Sequence, residues 1–266
     1  MMVLRIGLAG VGAVGAVVGR LLADTPEVRI AAAAVRDEDK ARAALPSFDG
    51  VFTAPGELHR HADVVVEGLP GALFREVAEP TLRAGRILVP LSIGQLLSHW
   101  DLVETAGRDG GRIVAPTGAL IGLDAVRAAA EGEIQSVTMT TRKPPGGLVG
   151  APYLEEHGIE VMGIGEPLRV YAGSVRAAAA GFPANLNVAA ALSLAGIGPD
   201  RTQLEVWADP TVSRNMHSIK VEADSANFSM AIENVPSEEN PRTGKITALS
   251  TVAAIRTLYA PLRVGS

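Results

Sequence analysis

Short apolar runs alternate with helical periodicity through the first half of the chain. Residues 3–9 are apolar except for Arg5 and read as a buried strand, followed by Gly10-Val11-Gly12-Ala13-Val14-Gly15 and a helix over residues 16–22. That helix ends near Asp24-Thr25-Pro26, and residues 28–35 (VRIAAAAV) form a second apolar strand. Strand, glycine turn, helix and strand in this order make a βαβ unit, with a parallel pairing and a right-handed crossover. The alternation repeats, with strands expected at 62–67, 86–91 and 112–115 and helices at 72–84 and 99–109. The pattern predicts an α/β fold with a Rossmann-type doubly wound parallel sheet over residues 1–116.

The pattern changes after Pro116. Residues 135–142 (QSVTMTTR) alternate polar and apolar side chains, as a half-exposed antiparallel strand does; 204–208, 218–222 and 227–233 look similar. Between them lies an Ala-rich helical segment, 186–195, closed by Gly196. Residues 117–240 thus read as a second, α+β domain on an antiparallel sheet, the expected substrate and catalytic domain. The last segment, 241–266, opens on Asn240-Pro241 as cap and first helical residue. Its Ile246, Leu249, Val252, Ala253 and Ile255 lie on or near one face, so it is expected to pack back on the first domain.

Composition narrows the function classes. Hydrophobic residues are 47%, charged residues 20% and aromatics 4%, with a net charge of −5, so the chain is globular and lacks the basic footprint of a nucleic-acid binder. With no cysteine, thiolate nucleophiles, disulfides and cysteine-ligated metals are excluded. Uncharged residues 6–19 are too few to span a bilayer, which takes about 20. Their regularly spaced glycines favour a structural strand over a signal peptide. A soluble cytoplasmic protein, with no membrane or nucleic-acid partner, is the expectation.

The glycine loop carries the first chemistry. Gly10 permits a tight turn, Gly12 lets backbone approach a pyrophosphate, and Gly15 lets the helix pack on the strand, with Ala13 and Val14 in the first helical turn. The cofactor is expected to be NAD or NADP. An acid at the end of the second strand would bind the ribose 2′-hydroxyl, whereas an arginine suits a 2′-phosphate. That strand ends Val35-Arg36-Asp37-Glu38-Asp39, so Arg36 either leans towards NADP or belongs to a solvated turn. Among five histidines, His59 and His61 lie in a charged stretch and His99 and His157 beside polar residues. His217, at the entry to a strand of the second domain, is the candidate for proton transfer near neutral pH. No His/Asp/Glu cluster has metal-ligand spacing, so no metal is expected.

Several segments together resemble the L-aspartate dehydrogenase family. They are Gly10 to Gly15; Leu91-Ser92-Ile93-Gly94; Pro116-Thr117-Gly118-Ala119-Leu120-Ile121-Gly122-Leu123-Asp124; Thr141-Arg142-Lys143-Pro144; Phe182-Pro183-Ala184-Asn185-Leu186-Asn187-Val188-Ala189; Asn215-Met216-His217; and Asn240-Pro241-Arg242-Thr243. The resemblance implies NAD(P)-dependent oxidative deamination of L-aspartate to oxaloacetate and ammonia through iminoaspartate, or the reverse, with iminoaspartate feeding NAD biosynthesis. It makes His217 the catalytic histidine and Ala119 and Asn187 cofactor contacts, and it implies a homodimer through the second domain's sheet. Asn187 opens a helix, where its amide serves a ligand or is an ordinary cap. An amino dicarboxylic substrate needs cationic partners, for which Lys143, Arg142, Arg214 and Lys220 are candidates. Lys143 is preferred for the two prolines that follow it, and Asn187 is a second candidate for substrate contact.

The sequence departs from the family at Leu120, at Val35 with Arg36 beside it, and in the slight loop Pro145-Gly146-Gly147-Leu148. These changes leave cofactor preference and exact substrate open. Two other readings stand beside the first: an enzyme of this architecture acting on another amino acid or a cyclic imine, and a non-catalytic dinucleotide sensor.

Overall fold

The computed structural model describes residues 3–183, 186–237 and 243–265. The chain divides into two compact units, residues 1–116 with 247–263, and residues 117–246 with 264–266.

The first unit contains β1 (Leu4–Ala9), α1 (Ala13–Ala23), β2 (Val28–Ala34), α2 (Glu38–Ala44), β3 (Val51–Phe52), β4 (Val64–Glu67), α3 (Phe74–Arg83), β5 (Ile87–Pro90), α4 (Asp101–Asp109) and β6 (Arg112–Ile113). Its strands pair in parallel in the order β3-β2-β1-β4-β5-β6, the doubly wound order expected from the alternation. Strand order reverses between β1 and β4, so the loops after these two strands flank the crevice where such sheets bind ligands. The end of β1 meets the start of the loop after β4, where the Gly68 amide donates to the Ala9 carbonyl at 2.9 Å. Ile6 and Leu8 of β1, Val64 and Val66 of β4 and Val18 and Leu22 of α1 meet in one apolar core.

The second unit contains α5 (Leu123–Ala130), β7 (Ile134–Lys143), α6 (Pro152–Glu156), β8 (Leu168–Ser174), α7 (Val175–Gly181), α8 (Asn187–Ala195), β9 (Gln203–Ala208), β10 (Met216–Ala223) and β11 (Asn227–Glu233). The sheet order is β11-β10-β7-β9-β8, antiparallel in every pairing except β7 with β9, which is parallel. The sheet is therefore mixed, because the α-helical connections between β7 and β9 let the chain return in the same direction. Val137, Met139, Thr141 and Lys143 of β7 and His217, Ile219 and Val221 of β10 are all buried, at alternate positions of each strand. Helices cover this face: a Cβ placed on Gly196, which ends α8, would lie 3.0 Å from Val126 of α5 and 3.8 Å from Val137 of β7.

The final helix, α9 (Lys245–Arg256), buries Ala248, Thr251, Val252 and Ile255, and its apolar members join the first unit's core. Asn240 and Pro241 lie outside the described residues. The helix is shorter than the expected 241–266: Gly244 forms an isolated bridge with Pro236 just before it, and residues beyond Arg256 are not helical. Its buried stripe also differs from expectation, since Leu249 is half exposed and Ala253 exposed while Ala248 and Thr251 face the core. Spacing of i, i+3, i+4, i+7 selects that stripe, and Leu249 falls off it.

Candidate functional site

Each unit carries part of the expected chemistry. In the first, Gly10 adopts φ +98°, a conformation natural to glycine, and its amide donates to the Ala34 carbonyl at 2.9 Å. A side chain on Gly15 would collide with the Gly10 carbonyl oxygen, whereas one on Gly12 would meet no atom within 4 Å. Gly12 occupies the cap position of α1, which has no side-chain cap and no acidic residue in its first turn. The amides of Ala13, Val14 and Gly15 and the positive end of the helix thus form a surface suited to a pyrophosphate.

Arg36 is exposed in the turn after β2. The neighbouring acid, Asp37, is committed to α2, where its carboxylate accepts from the Lys40 amide at 2.9 Å. Arg36 is thus an exposed cation at this edge, within a turn that also exposes Glu38 and Asp39.

Sequence reasoning did not single out Glu67, fully buried at the end of β4. Its carboxyl accepts from the Leu69 amide at 3.0 Å, the Ser92 amide at 3.2 Å and the Ser92 hydroxyl at 3.3 Å. It thereby ties the loop after β4 to the loop after β5. Burial outweighs these donors and raises its pKa to about 7. The signal was present: Glu67 is a charged residue closing the strand Val64-Val65-Val66.

In the second unit, the antiparallel register sets His217 of β10 opposite Thr141 of β7, with Nδ1 and the hydroxyl 3.1 Å apart. Lys143 lies two residues along β7, on the same buried face. Burial, and then the nearby Lys143 charge, push the His217 pKa down to about 3, so the ring is neutral near pH 7. Burial lowers Lys143 to about 8.

Lys143 and Arg214 line a cavity of about 510 Å³ with Asn215, Asn234 and the glycine-rich stretch 146–150. The four cationic candidates are thereby separated. Arg142, on the opposite face of β7, pairs with Asp209 at 2.8 Å and stacks over Trp207 at 4.8 Å. Lys220 is exposed and pairs with Glu222 at 2.6 Å. Strand alternation forbids Arg142 and Lys143 from sharing a face.

Ala119 follows Gly118, which adopts φ +64°, and the Ala119 carbonyl accepts from Nδ2 of Asn234 at 3.1 Å. Asn187 is the first residue of α8, and Leu186 holds the cap position. Ala119, Asn187 and His217 are not among the residues lining the cavity. Three of the other four histidines have local contacts: His59 Nδ1 lies 2.8 Å from the Gly56 carbonyl, His99 meets Phe74 edge-on, and His157 stacks on Tyr153. Among the described residues, no helix is long and apolar enough to cross a membrane, and no group of three or more His, Asp or Glu is placed to hold a metal.

Residues 124–258 match the family described as aspartate dehydrogenase, C-terminal. The chain is 51% identical over 268 residues to the L-aspartate dehydrogenase of Bradyrhizobium diazoefficiens, covering 99% of this chain and 94% of that one. It is 52% identical over 267 residues to L-aspartate dehydrogenase 3 of Bordetella bronchiseptica, covering 99% and 98%. The crystal structure of aspartate dehydrogenase from Thermotoga maritima shares the fold, with a TM-score of 0.77 at 20% identity, covering 98% of this chain and 99% of that one. Similar over almost its whole length to such relatives, and matched by the family across the second unit, the chain belongs to the L-aspartate dehydrogenase family.

Proposed function

We propose that the protein catalyses the NAD(P)-dependent oxidative deamination of L-aspartate to oxaloacetate and ammonia through iminoaspartate, and the reverse reductive amination. The observation that carries this reading is the burial of Lys143 and neutral His217 together, beside a cavity that also presents Arg214. Two cations suit the two carboxylates of the substrate.

The glycine loop fits a dinucleotide, with Gly10, Gly12, Ala13, Val14 and Gly15 holding the pyrophosphate and Arg36 at the ribose edge. Bound there, an oxidised dinucleotide would supply the hydride acceptor for oxidation at the substrate Cα, a step that leaves the substrate as an imine. Lys143 and Arg214 hold the carboxylates. His217, being neutral, takes a proton from the water that adds to the imine carbon and returns it to the amine; the C–N bond then breaks, ammonia leaves, and the carbinol hydroxyl loses its proton to solvent as the keto acid forms. Ala119 and Asn187 are assigned to the cofactor, with Asn187 also available to substrate, by their positions in the family's motifs. An exposed arginine in place of an acid favours use of NADP as well as NAD.

The same reading makes the protein a cytoplasmic homodimer, and lets iminoaspartate released before hydration supply NAD biosynthesis. The edge position of β11 supports pairing through the second sheet. The test is a panel of amino and oxo acids, with both dinucleotides and ammonia, followed by the absorbance of reduced nicotinamide. Turnover of L-aspartate above other amino acids is expected. Dinucleotide binding without turnover on any member would favour a sensor instead.

A further inference from the structure

Asn234 stands where β11 has just ended, and its backbone amide donates to the Asn215 carbonyl at 2.9 Å, continuing the ladder between β10 and β11. The residue is only 4% exposed and forms part of the cavity wall with Lys143 and Arg214. One side of its amide is committed. The group facing it is the Ala119 carbonyl, an acceptor, so the atom 3.1 Å away is the NH2 nitrogen and the orientation of the amide follows. The other side is not committed: Oδ1 is buried and has no hydrogen-bond partner. Gly244 preserves this state, since a Cβ there would come within 2.8 Å of that oxygen.

A buried carbonyl oxygen without a partner is unusual and calls for an N–H or O–H donor. We infer that Asn234 is a specificity residue whose Oδ1 accepts a hydrogen bond from the α-amino group of the amino dicarboxylic acid in this cavity. The inference rests on the proposed function and deepens it. The substrate's carboxylates are acceptors and cannot serve Oδ1; they belong to Lys143 and Arg214. The amino group is the one substrate group rich in donors. The terminal amide torsion is soft, so a small rotation presents the oxygen to the cavity while Nδ2 stays near Ala119. The keto product has only an acceptor at Cα, so Asn234 distinguishes amino acid from oxo acid, and the contact is lost once the amine departs.

The experiment compares ligands that share both carboxylates. Asn234→Ala should raise the KM for L-aspartate about tenfold to a hundredfold, the range for a hydrogen bond to a charged group. Inhibition by succinate, which has no amine, should stay within about twofold, as should dinucleotide affinity. Equal weakening of aspartate and succinate would overturn the inference, because it would mean that Asn234 only supports the Ala119 turn. Should the variant fail to fold, the wild type decides alone. L-malate, whose hydroxyl can donate to Oδ1, should then inhibit more tightly than succinate, and equal inhibition would overturn the inference. Failure of the wild type to turn over L-aspartate would be a different result, removing the proposed function and this inference with it.

Discussion

Nδ1 of His217 and the hydroxyl of Thr141 face each other at 3.1 Å across the β10–β7 register. The hydroxyl fixes one edge of the imidazole, and in the proposed function the other nitrogen, Nε2, is the one that moves the proton. His217→Ala should lower kcat about 10²–10⁴-fold, the span for losing a general acid–base, with dinucleotide affinity retained. Thr141→Val, nearly the same shape, should lower kcat about tenfold with little change in KM, as expected for losing one neutral hydrogen bond. Steady-state kinetics with fluorescence titration of the dinucleotide checks both; unchanged kcat in His217→Ala removes the assignment.

The pH profile of kcat/KM follows from the same pair. His217 titrates near 3, so activity should not fall through its ordinary value of 6.5 as the solution is acidified. Lys143 titrates near 8, and in the proposed function it is the cationic form that holds a carboxylate. Activity should therefore decline as pH rises through about 8, and Lys143→Arg should carry that alkaline limb upward. An acid limb at 6.5 in the wild type would contradict this arrangement.

Lys143 should also destabilise the fold it serves. Its pKa falls from 10.5 to about 8 on folding, so the unfolded chain binds the proton more tightly and stability decreases as pH drops from about 10.5 through 8. At pH 7 the cost is on the order of 3 kcal/mol. Lys143→Met should raise the thermal midpoint at pH 7 while raising the KM for aspartate at least tenfold. A lowered midpoint would show that packing or pairing of the ammonium outweighs its desolvation.

Gly12 and Gly15 should separate binding from folding. Gly12→Ala meets nothing within 4 Å, so the variant should unfold at the wild-type temperature yet bind dinucleotide poorly. Gly15→Ala drives a methyl into the Gly10 carbonyl and should lose both stability and binding. Calorimetry beside dinucleotide titration distinguishes them, and full affinity in Gly12→Ala would mean that the pyrophosphate does not approach there.

Glu67 predicts a pH-dependent strain in the first unit. Its folded pKa is raised from 4.5 to about 7, so the stability of the protonated form is complete below 4.5 and is lost as pH rises through 7. Between pH 5 and 8 the wild type should lose stability relative to Glu67→Gln, by up to about 3 kcal/mol. A difference that does not vary with pH would show that the three donors from Leu69 and Ser92 hold the carboxylate ionised throughout.

The sequence by itself determined the first sheet, the glycine loop and the strands of the second unit, because apolar period and glycine spacing are local properties of the chain. It also carried the Asn215-Met216-His217 motif that pointed to a histidine. Boundaries moved by a few residues: β7 runs from Ile134 to Lys143 where residues 135–142 were expected, and α1 begins at Ala13 where residue 16 was expected.

Only the tertiary structure decided which candidate cations share the cavity. Arg142 and Lys143 are adjacent in sequence, yet one pairs with Asp209 and the other faces the buried side. Nothing local says which face of a strand becomes buried until the neighbouring strands and helices are in place. The parallel pairing of β7 with β9, the burial of Glu67 and the unpartnered oxygen of Asn234 have the same origin. Each depends on groups distant in the chain, Asn234 on Ala119 and Glu67 on Ser92. Hydrophobic pattern encodes which elements form, and long-range packing decides which polar groups are left to do chemistry.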